Sequence, residues 1–214
     1  MKIGIVGYKG RMGKEIKDLF EEKNHEFVWG YDKDGEYFQE PPQIIIDFSL
    51  PEVFEKTEDY VKKFKVPLII GTTGLRDEQI EALKALAKDV PVVQSYNFSI
   101  GIQLFLKMVD FLKDKIDGWD IEIVETHHRF KKDKPSGTAK MIKESLDKDV
   151  PISSLRLGNV AGDHVLYMAN LGEVLSISHR ALSRRAFAEG VLKSAEFVTN
   201  KKNGYFTFTD VIFE

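Results

Sequence analysis

The chain has 214 residues, room for one domain or two small ones, and 43% of them are apolar, enough for a real core. Its 31 Lys+Arg against 34 Asp+Glu leave a net charge of −3, which argues against general nucleic-acid binding. No cysteine is present, so disulfides, thiolate nucleophiles and cysteine-based metal sites are excluded; no apolar run approaches the ~18 residues of a membrane span. The start, Met-Lys-Ile-Gly-Ile-Val-Gly, is too short in its apolar part for a signal peptide. A reducing cytoplasm is therefore the expected location.

Lys2–Val6 reads as a buried strand that stops at Gly7, and Glu15–Glu22 as a helix through Ile16, Leu19 and Phe20. Glu26–Tyr31 is a second strand. Residues 34–42 are polar, end in Pro-Pro and read as a loop. Ile44–Phe48 is a strand, residues 51–64 a helix, Val66–Ile70 a strand, Asp77–Lys88 a helix and Val90–Gln94 a strand. Short apolar strands alternating with helices predict a parallel sheet covered on both faces, with ligands outside the carboxyl ends of the strands. Beyond Gly101 the pattern changes. Residues 103–115 predict a helix, 120–125 a strand, 139–146 a short helix, and 155–157, 164–169 and 173–179 strands, the last two a hairpin about Asn170-Leu-Gly172. A helix over 185–199 and a strand over 205–213 close the chain. The fold class is thus α/β. A Rossmann-type dinucleotide-binding domain (1–99 plus 185–214) carries an inserted α+β domain (100–184) for substrate binding and oligomerisation.

Gly7-Tyr8-Lys9-Gly10-Arg11-Met12-Gly13 joins a strand to a helix. Its glycines permit a tight turn, close approach of a diphosphate and close helix–strand packing, and the helix N-terminus supplies amides. The spacing is G-x-x-G-x-x-G, so a plain βα turn is the competing reading. Asp32 lies 25 residues after Gly7 at the end of the second strand, where an acid binds ribose hydroxyls. Lys33 beside it can pair with a 2′-phosphate, so NADH and NADPH are both expected, unranked. Gly71-Thr72-Thr73-Gly74 follows another strand and can contact the nicotinamide side, or serve only as a Gly-rich cap. The run Glu125-Thr-His127-His128-Arg-Phe-Lys131-Lys-Asp-Lys-Pro-Ser136-Gly137-Thr138-Ala139 is the most informative stretch. Its histidines can exchange protons near neutral pH, its cations can hold an anion, and the amides of residues 136–138 can bind a carboxylate if they open a helix. No metal site is expected, because adjacent ligands on a strand lack a carboxylate partner at helical spacing.

These motifs, in this order, resemble the 4-hydroxy-tetrahydrodipicolinate reductase (dihydrodipicolinate reductase) family across the whole chain. The resemblance rests on the glycine loop ending Gly-Arg-Met-Gly, Asp47-Phe-Ser49, Gly71-Thr-Thr-Gly74 and Asn97-Phe-Ser-Ile-Gly101. It continues through Glu125-Thr-His-His-Arg to Pro-Ser-Gly-Thr-Ala139, Ala161-Gly-Asp-His164, His179 and Arg184 with Phe187-Ala. It implies hydride transfer from NADH or NADPH to a cyclic imine dicarboxylate, yielding tetrahydrodipicolinate on the diaminopimelate route to lysine. By resemblance His127 is the proton donor or acceptor and Lys131 a second donor. His128, Gly137 and Thr138 bind substrate carboxylates, with Ser136 adjacent. Gly7–Met12, Asp32, Lys33, Gly71–Thr73 and Ser95, Tyr96, Asn97 and Phe98 line the cofactor. His164 and His179 are expected to be structural or at a subunit contact. The resemblance also implies a homotetramer built through the inserted domain, and closure about hinges near 99–101 and 183–185. The chain departs from the family pattern in its shortness around 34–42, in Lys9 for a common glycine and in Tyr96 for a small residue or proline. A dinucleotide-sensing protein that kept the fold and lost the reaction is the competing function. It predicts cofactor binding without turnover, and the intact His127, Lys131 and Ser-Gly-Thr set argues against it.

Overall fold

The computed structural model describes all residues, 1–214. The backbone divides into two compact units, Met1–Phe98 with Phe187–Glu214, and Ser99–Ala186.

In the first unit β1 (Lys2–Val6), β2 (Glu26–Asp32), β3 (Gly35–Phe38), β4 (Ile44–Asp47), β5 (Leu68–Ile70), β6 (Pro91–Gln94) and β11 (Gly204–Thr207) form one sheet. The order is β11-β6-β5-β4-β1-β2-β3, parallel throughout except for β3. The inner strands are short apolar runs because both faces are covered: every residue of β4, β5 and β6 is buried. Helices α1 (Arg11–Glu22), α2 (Phe54–Phe64), α3 (Asp77–Leu86), α6 (Arg185–Val198) and α7 (Phe208–Phe213) accompany the sheet. Ile16, Leu19 and Phe20 of α1, at helical spacing, are buried. A 3-10 turn over Pro51–Val53 precedes α2; α2 ends at Lys65, which takes the left-handed conformation at φ 54°.

Two expectations need correction. Residues 34–42 are not all loop: Gly35–Phe38 pairs antiparallel with β2 through a turn in which Gly35 has φ +112°. Its four residues are all exposed, as suits an edge. They are held by side chains: Tyr37 stacks on Phe27 at 5.4 Å, and Trp29 Nε1 donates to Glu36 Oε1 at 2.6 Å. The closing strand stops at Thr207. The Thr207 hydroxyl accepts from the Asp210 amide while the Asp210 carboxylate accepts from the Thr207 amide, a capping box that opens α7 and buries Phe208 and Val211.

The second unit holds α4 (Ile100–Leu112), β7 (Asp120–His127), α5 (Gly137–Leu146), β8 (Ile152–Arg156), β9 (Asp163–Ala169) and β10 (Val174–Arg180). Its sheet runs β10-β9-β7-β8, with β7 and β8 parallel and the remaining pairs antiparallel. The hairpin turn is tied by Asn170, whose Oδ1 accepts from the amides of Gly172 and Glu173. Alternation along the strands sends Ile123, Leu166 and Met168 inward against Phe105 and Val109 of α4 and Ala139 and Ile142 of α5. The register places Ser154, Glu125, His164 and His179 in one row across that inner face. Polar groups that deep need partners. His164 Nε2 lies 3.3 Å from the hydroxyl of Ser136, the N-cap of α5. His179 Nε2 lies 3.1 Å from that of Ser99, the N-cap of α4. Both histidines therefore serve the inside of the unit, the structural half of their expectation. No helix is long and apolar enough to cross a membrane.

Candidate active site

The first unit gathers its unusual loops at the carboxyl ends of the parallel strands. After β1, Gly7 takes φ +81° and turns back so that the Gly10 amide donates to its carbonyl at 2.9 Å. A Cβ on Gly13 would stand 2.2 Å from the Gly7 carbonyl oxygen, so only glycine lets α1 pack this close to the loop. The N-cap is Gly10, which offers no side-chain cap, and the first turn of α1 carries no acid. The first-turn amides thus lack an intrahelical or side-chain partner and face the loop with the positive end of the helix. This cradle fits a diphosphate.

After β2, Asp32 is fixed by the chain on either side: its Oδ2 accepts from the Lys9 amide at 3.0 Å and its Oδ1 from the Lys33 amide at 2.8 Å. Each carboxylate oxygen keeps a further lone pair for a ribose hydroxyl. The Lys9 ammonium is drawn to Asp34 at 3.1 Å and lies 5.5 Å from the Tyr8 ring centroid. Lys33 is exposed. Beyond β4, sequence reasoning left Asp47 without a role. It is fully buried and accepts from the hydroxyls of Ser49 at 2.6 Å, Thr57 at 2.7 Å and Thr72 at 2.9 Å, and from the Ser49 amide at 2.9 Å. Burial pushes its carboxyl up, and these hydrogen bonds oppose the rise. One acid thus pins the loops after β4 and β5 together, and the Thr72 hydroxyl is spent on that bond. Gly71 accepts the Phe48 ring, which a Cβ would meet at 2.3 Å; Thr73 is exposed. After β6, Ser95 Oγ donates to the Asn97 carbonyl at 2.9 Å. Tyr96 points outward, 47% exposed, while Phe98 is core, its ring 5.5 Å from Phe48 and 5.1 Å from Phe208.

The second unit carries the histidine run where β7 ends. Alternation turns His127 inward with Glu125, two residues earlier, and leaves His128 half-buried. His127 Nδ1 lies 2.5 Å from Glu125 Oε2. Glu125 has no exposed surface and also accepts both Arg156 guanidinium nitrogens, at 2.8 and 2.9 Å, and the Ser136 amide at 3.2 Å. Burial would raise its carboxyl, but the bonds from Arg156, Ser154 and His127 overcome this and hold it at about 2. Burial lowers the His127 imidazole, against the pull of Glu125. Burial, then the neighbouring His127 and His179, lowers His164 to about 3.

Ser136 is buried and closes three bonds: its amide to Glu125, its hydroxyl accepting from the Ala139 amide at 3.2 Å, and its contact to His164. Next to it Gly137 has nothing within 4 Å of where a Cβ would stand, and the first turn of α5 holds no acid. Gly137 and Thr138 form the N-terminal amide end of α5. Lys131 is held by Asp133 at 2.8 Å, while Arg129, Lys132 and Lys134 are exposed on the same loop. The structure thus brings His127, His128, Lys131, Ser136, Gly137 and Thr138 to one end of the second unit. The predicted cofactor residues lie at one end of the first unit's sheet. Sequence reasoning missed Glu125 and Arg156. The strand period, which puts Glu125 beside His127, is a signal for the first; nothing local marks Arg156, which arrives by the pairing of β7 with β8.

Comparison with known proteins places the chain. Residues 1–98 match the family model described as dihydrodipicolinate reductase, N-terminus, and residues 101–212 the model for the C-terminus. A 4-hydroxy-tetrahydrodipicolinate reductase of Thermosipho africanus is 48% identical over 214 residues, covering 100% of this chain and 99% of its own. One of Caldanaerobacter subterraneus subsp. tengcongensis is 33% identical over 246 residues, covering 99% and 98%. The fold matches that of a dipicolinate-bound dihydrodipicolinate reductase from Paenisporosarcina sp. TG-14, with a TM-score of 0.81 at 24% identity over 98% of each chain. The chain belongs to the dihydrodipicolinate reductase family, the NAD(P)H-dependent 4-hydroxy-tetrahydrodipicolinate reductases of diaminopimelate and lysine biosynthesis.

Proposed function

We propose that this chain reduces a cyclic imine dicarboxylate with NADH or NADPH, and that His127 supplies the proton that accompanies the hydride. The observation that carries the reading is the buried Glu125–His127 pair bonded to the N-cap of α5. The bound dinucleotide supplies the hydride. Gly7–Met12 cradle its diphosphate, Asp32 and Lys33 its adenosine end, and Gly71–Thr73 with Ser95–Phe98 its nicotinamide end. Thr72 and Phe98 contribute there through backbone, since their side chains are committed inside the unit.

Reduction leaves negative charge beside the carbon that accepts hydride. A neighbouring acid quenches it, an effect worth roughly 10²–10⁴-fold in rate. His127 is the first proton carrier and Lys131 the second. The amides of Gly137 and Thr138 grip one carboxylate with His128 beside them, and Ser136 holds those amides in place. The loop cations focus a dianion onto a protein of negative net charge. Residues 100–184 form the substrate-binding and oligomerisation domain. The outer face of its sheet, with Leu155, Tyr167 and Val174 exposed, is the surface on which we place a homotetramer. The composition, free of cysteine, fits a cytoplasmic enzyme.

The test is NAD(P)H absorbance followed while freshly made synthase product is supplied. His127→Ala should keep dinucleotide affinity and lose roughly 10²–10⁴-fold in turnover. Unchanged turnover removes the role given to His127; cofactor binding with no turnover in the parent protein means a sensor.

A further inference from the structure

Glu125 and Arg156 have no role in the reading above, yet they form an enclosed ion pair in the second unit. Glu125 accepts two bonds from Arg156, one from the Ser136 amide and one from His127 Nδ1, with the Ser154 side chain a further donor. An ionised carboxylate has no proton to give, so Nδ1 must carry the hydrogen of that 2.5 Å contact. The neutral imidazole then keeps its lone pair on Nε2. That nitrogen lies toward Gly162, where an added Cβ would stand 3.2 Å away. Arg156 reaches further. Its Nη2 donates to the Asp133 carbonyl at 2.6 Å and its Nη1 to the Leu155 carbonyl at 2.7 Å. The loop that bears Lys131 is thus tied to the same guanidinium.

We propose that Glu125 and Arg156 are a positioning pair for proton transfer: Glu125 fixes the His127 tautomer so that protons enter and leave through Nε2, and Arg156 balances Glu125 so that His127 can release its proton. This rests on the reading of His127 as the proton carrier. The physical need for both members is plain. A buried carboxylate facing His127 alone would hold it as a permanent imidazolium, a poor donor. A guanidinium alone would repel the protonated ring. With both present the pair is neutral, and Lys131, Asp133 and His164 are the other titratable groups around the ring. Asp133 offsets Lys131 at 2.8 Å, and His164, held at about 3, is neutral at working pH. The function resembles that of an acid behind a catalytic histidine, with a cation added behind the acid.

The test follows turnover against pH for the parent enzyme with NADPH and substrate, and for Glu125→Gln, Arg156→Gln and Arg156→Lys. A donor must be protonated, so the profile falls as pH rises through the His127 pKa. Glu125→Gln exposes His127 to an unbalanced cation and should move that fall to lower pH. Arg156→Gln exposes it to an unbalanced carboxylate and should move it to higher pH. Arg156→Lys should restore the parent position. Each Gln variant should lose roughly 10–100-fold in turnover while dinucleotide affinity holds. A merely structural pair would lower activity without opposite shifts, and that result overturns the proposal. Should a variant fail to fold, the parent decides alone. Imidazole ¹⁵N spectra, with His127 assigned by its loss in His127→Asn, should show the neutral ring protonated at Nδ1; protonation at Nε2 overturns the proposal. The two levels separate cleanly. A fully active His127→Asn sinks the proton-carrier reading itself, whereas an inactive one with unshifted Gln variants sinks only the positioning pair.

Discussion

At the scale of single residues, the charges at the carboxyl end of β2 are tied down by their neighbours. Asp32 accepts the amides of Lys9 and Lys33, so the turn that would hold the adenosine end is prefolded. The Lys9 ammonium is turned toward Asp34, and Lys33 is a second exposed cation at that corner. A 2′-phosphate is what distinguishes NADPH from NADH, and a surface cation facing it contributes modestly. Lys33→Ala should raise the NADPH Michaelis constant several-fold and leave that for NADH nearly unchanged; equal shifts for both would make Lys33 a turn residue only. Asp47 shows the limit of reading residues one at a time. Its motif stands out in the sequence, but four hydrogen bonds from two loops and helix α2 exist only once the chain is folded.

At the scale of elements, the glycine loop and α1 behave as one piece. A Cβ at Gly13 would sit 2.2 Å from the Gly7 carbonyl oxygen and 2.6 Å from Tyr8 Cα, both backbone. Neither can swing aside, so Gly13→Ala must push α1 off the loop. It should cost about 1–3 kcal/mol in denaturant unfolding and weaken dinucleotide binding; a variant with parent stability and affinity would show that the helix can slide. Buried elements were legible in the sequence because their apolar runs have no other use. The inner strands and α1 fall within a residue or two at one end and a turn at the other of their expected bounds. What escaped was short or misleading in pattern. Gly35–Phe38 is an exposed edge held by its ladder to β2, by aromatic stacking and by bonds from Trp29 and Tyr60 to Glu36. Residues 205–213 alternate like a strand, and only the Thr207–Asp210 cap spacing signals the helix. The histidine run stood out in the sequence, whereas its supports did not, since Arg156 is 31 residues from Glu125 and meets it through sheet pairing.

For the whole molecule, the buried ionisable groups set how stability responds to acid. His164 is lowered from 6.5 to about 3 on folding, so its contribution is complete above pH 6.5 and is lost as pH falls toward 3. Glu125 is lowered from 4.5 to about 2, so its contribution is complete above 4.5 and is lost toward 2. Asp47, raised by burial, works the other way, its contribution being lost as pH rises through its folded value. The urea midpoint should therefore drop between pH 7 and pH 4, and His164→Gln should flatten that drop; an equal slope in both proteins would assign the acid sensitivity elsewhere. Another consequence lies in the Glu125–Ser136 bond, which spans 11 residues, together with the grip of Arg156 on Asp133. These ties fix both ends of the segment while Arg129, Phe130, Lys132 and Lys134 stand exposed between them. Inherited change can thus accumulate at the loop's surface without disturbing the two anchored ends. On the roles proposed above, the proton chemistry would stay fixed while the substrate range drifted.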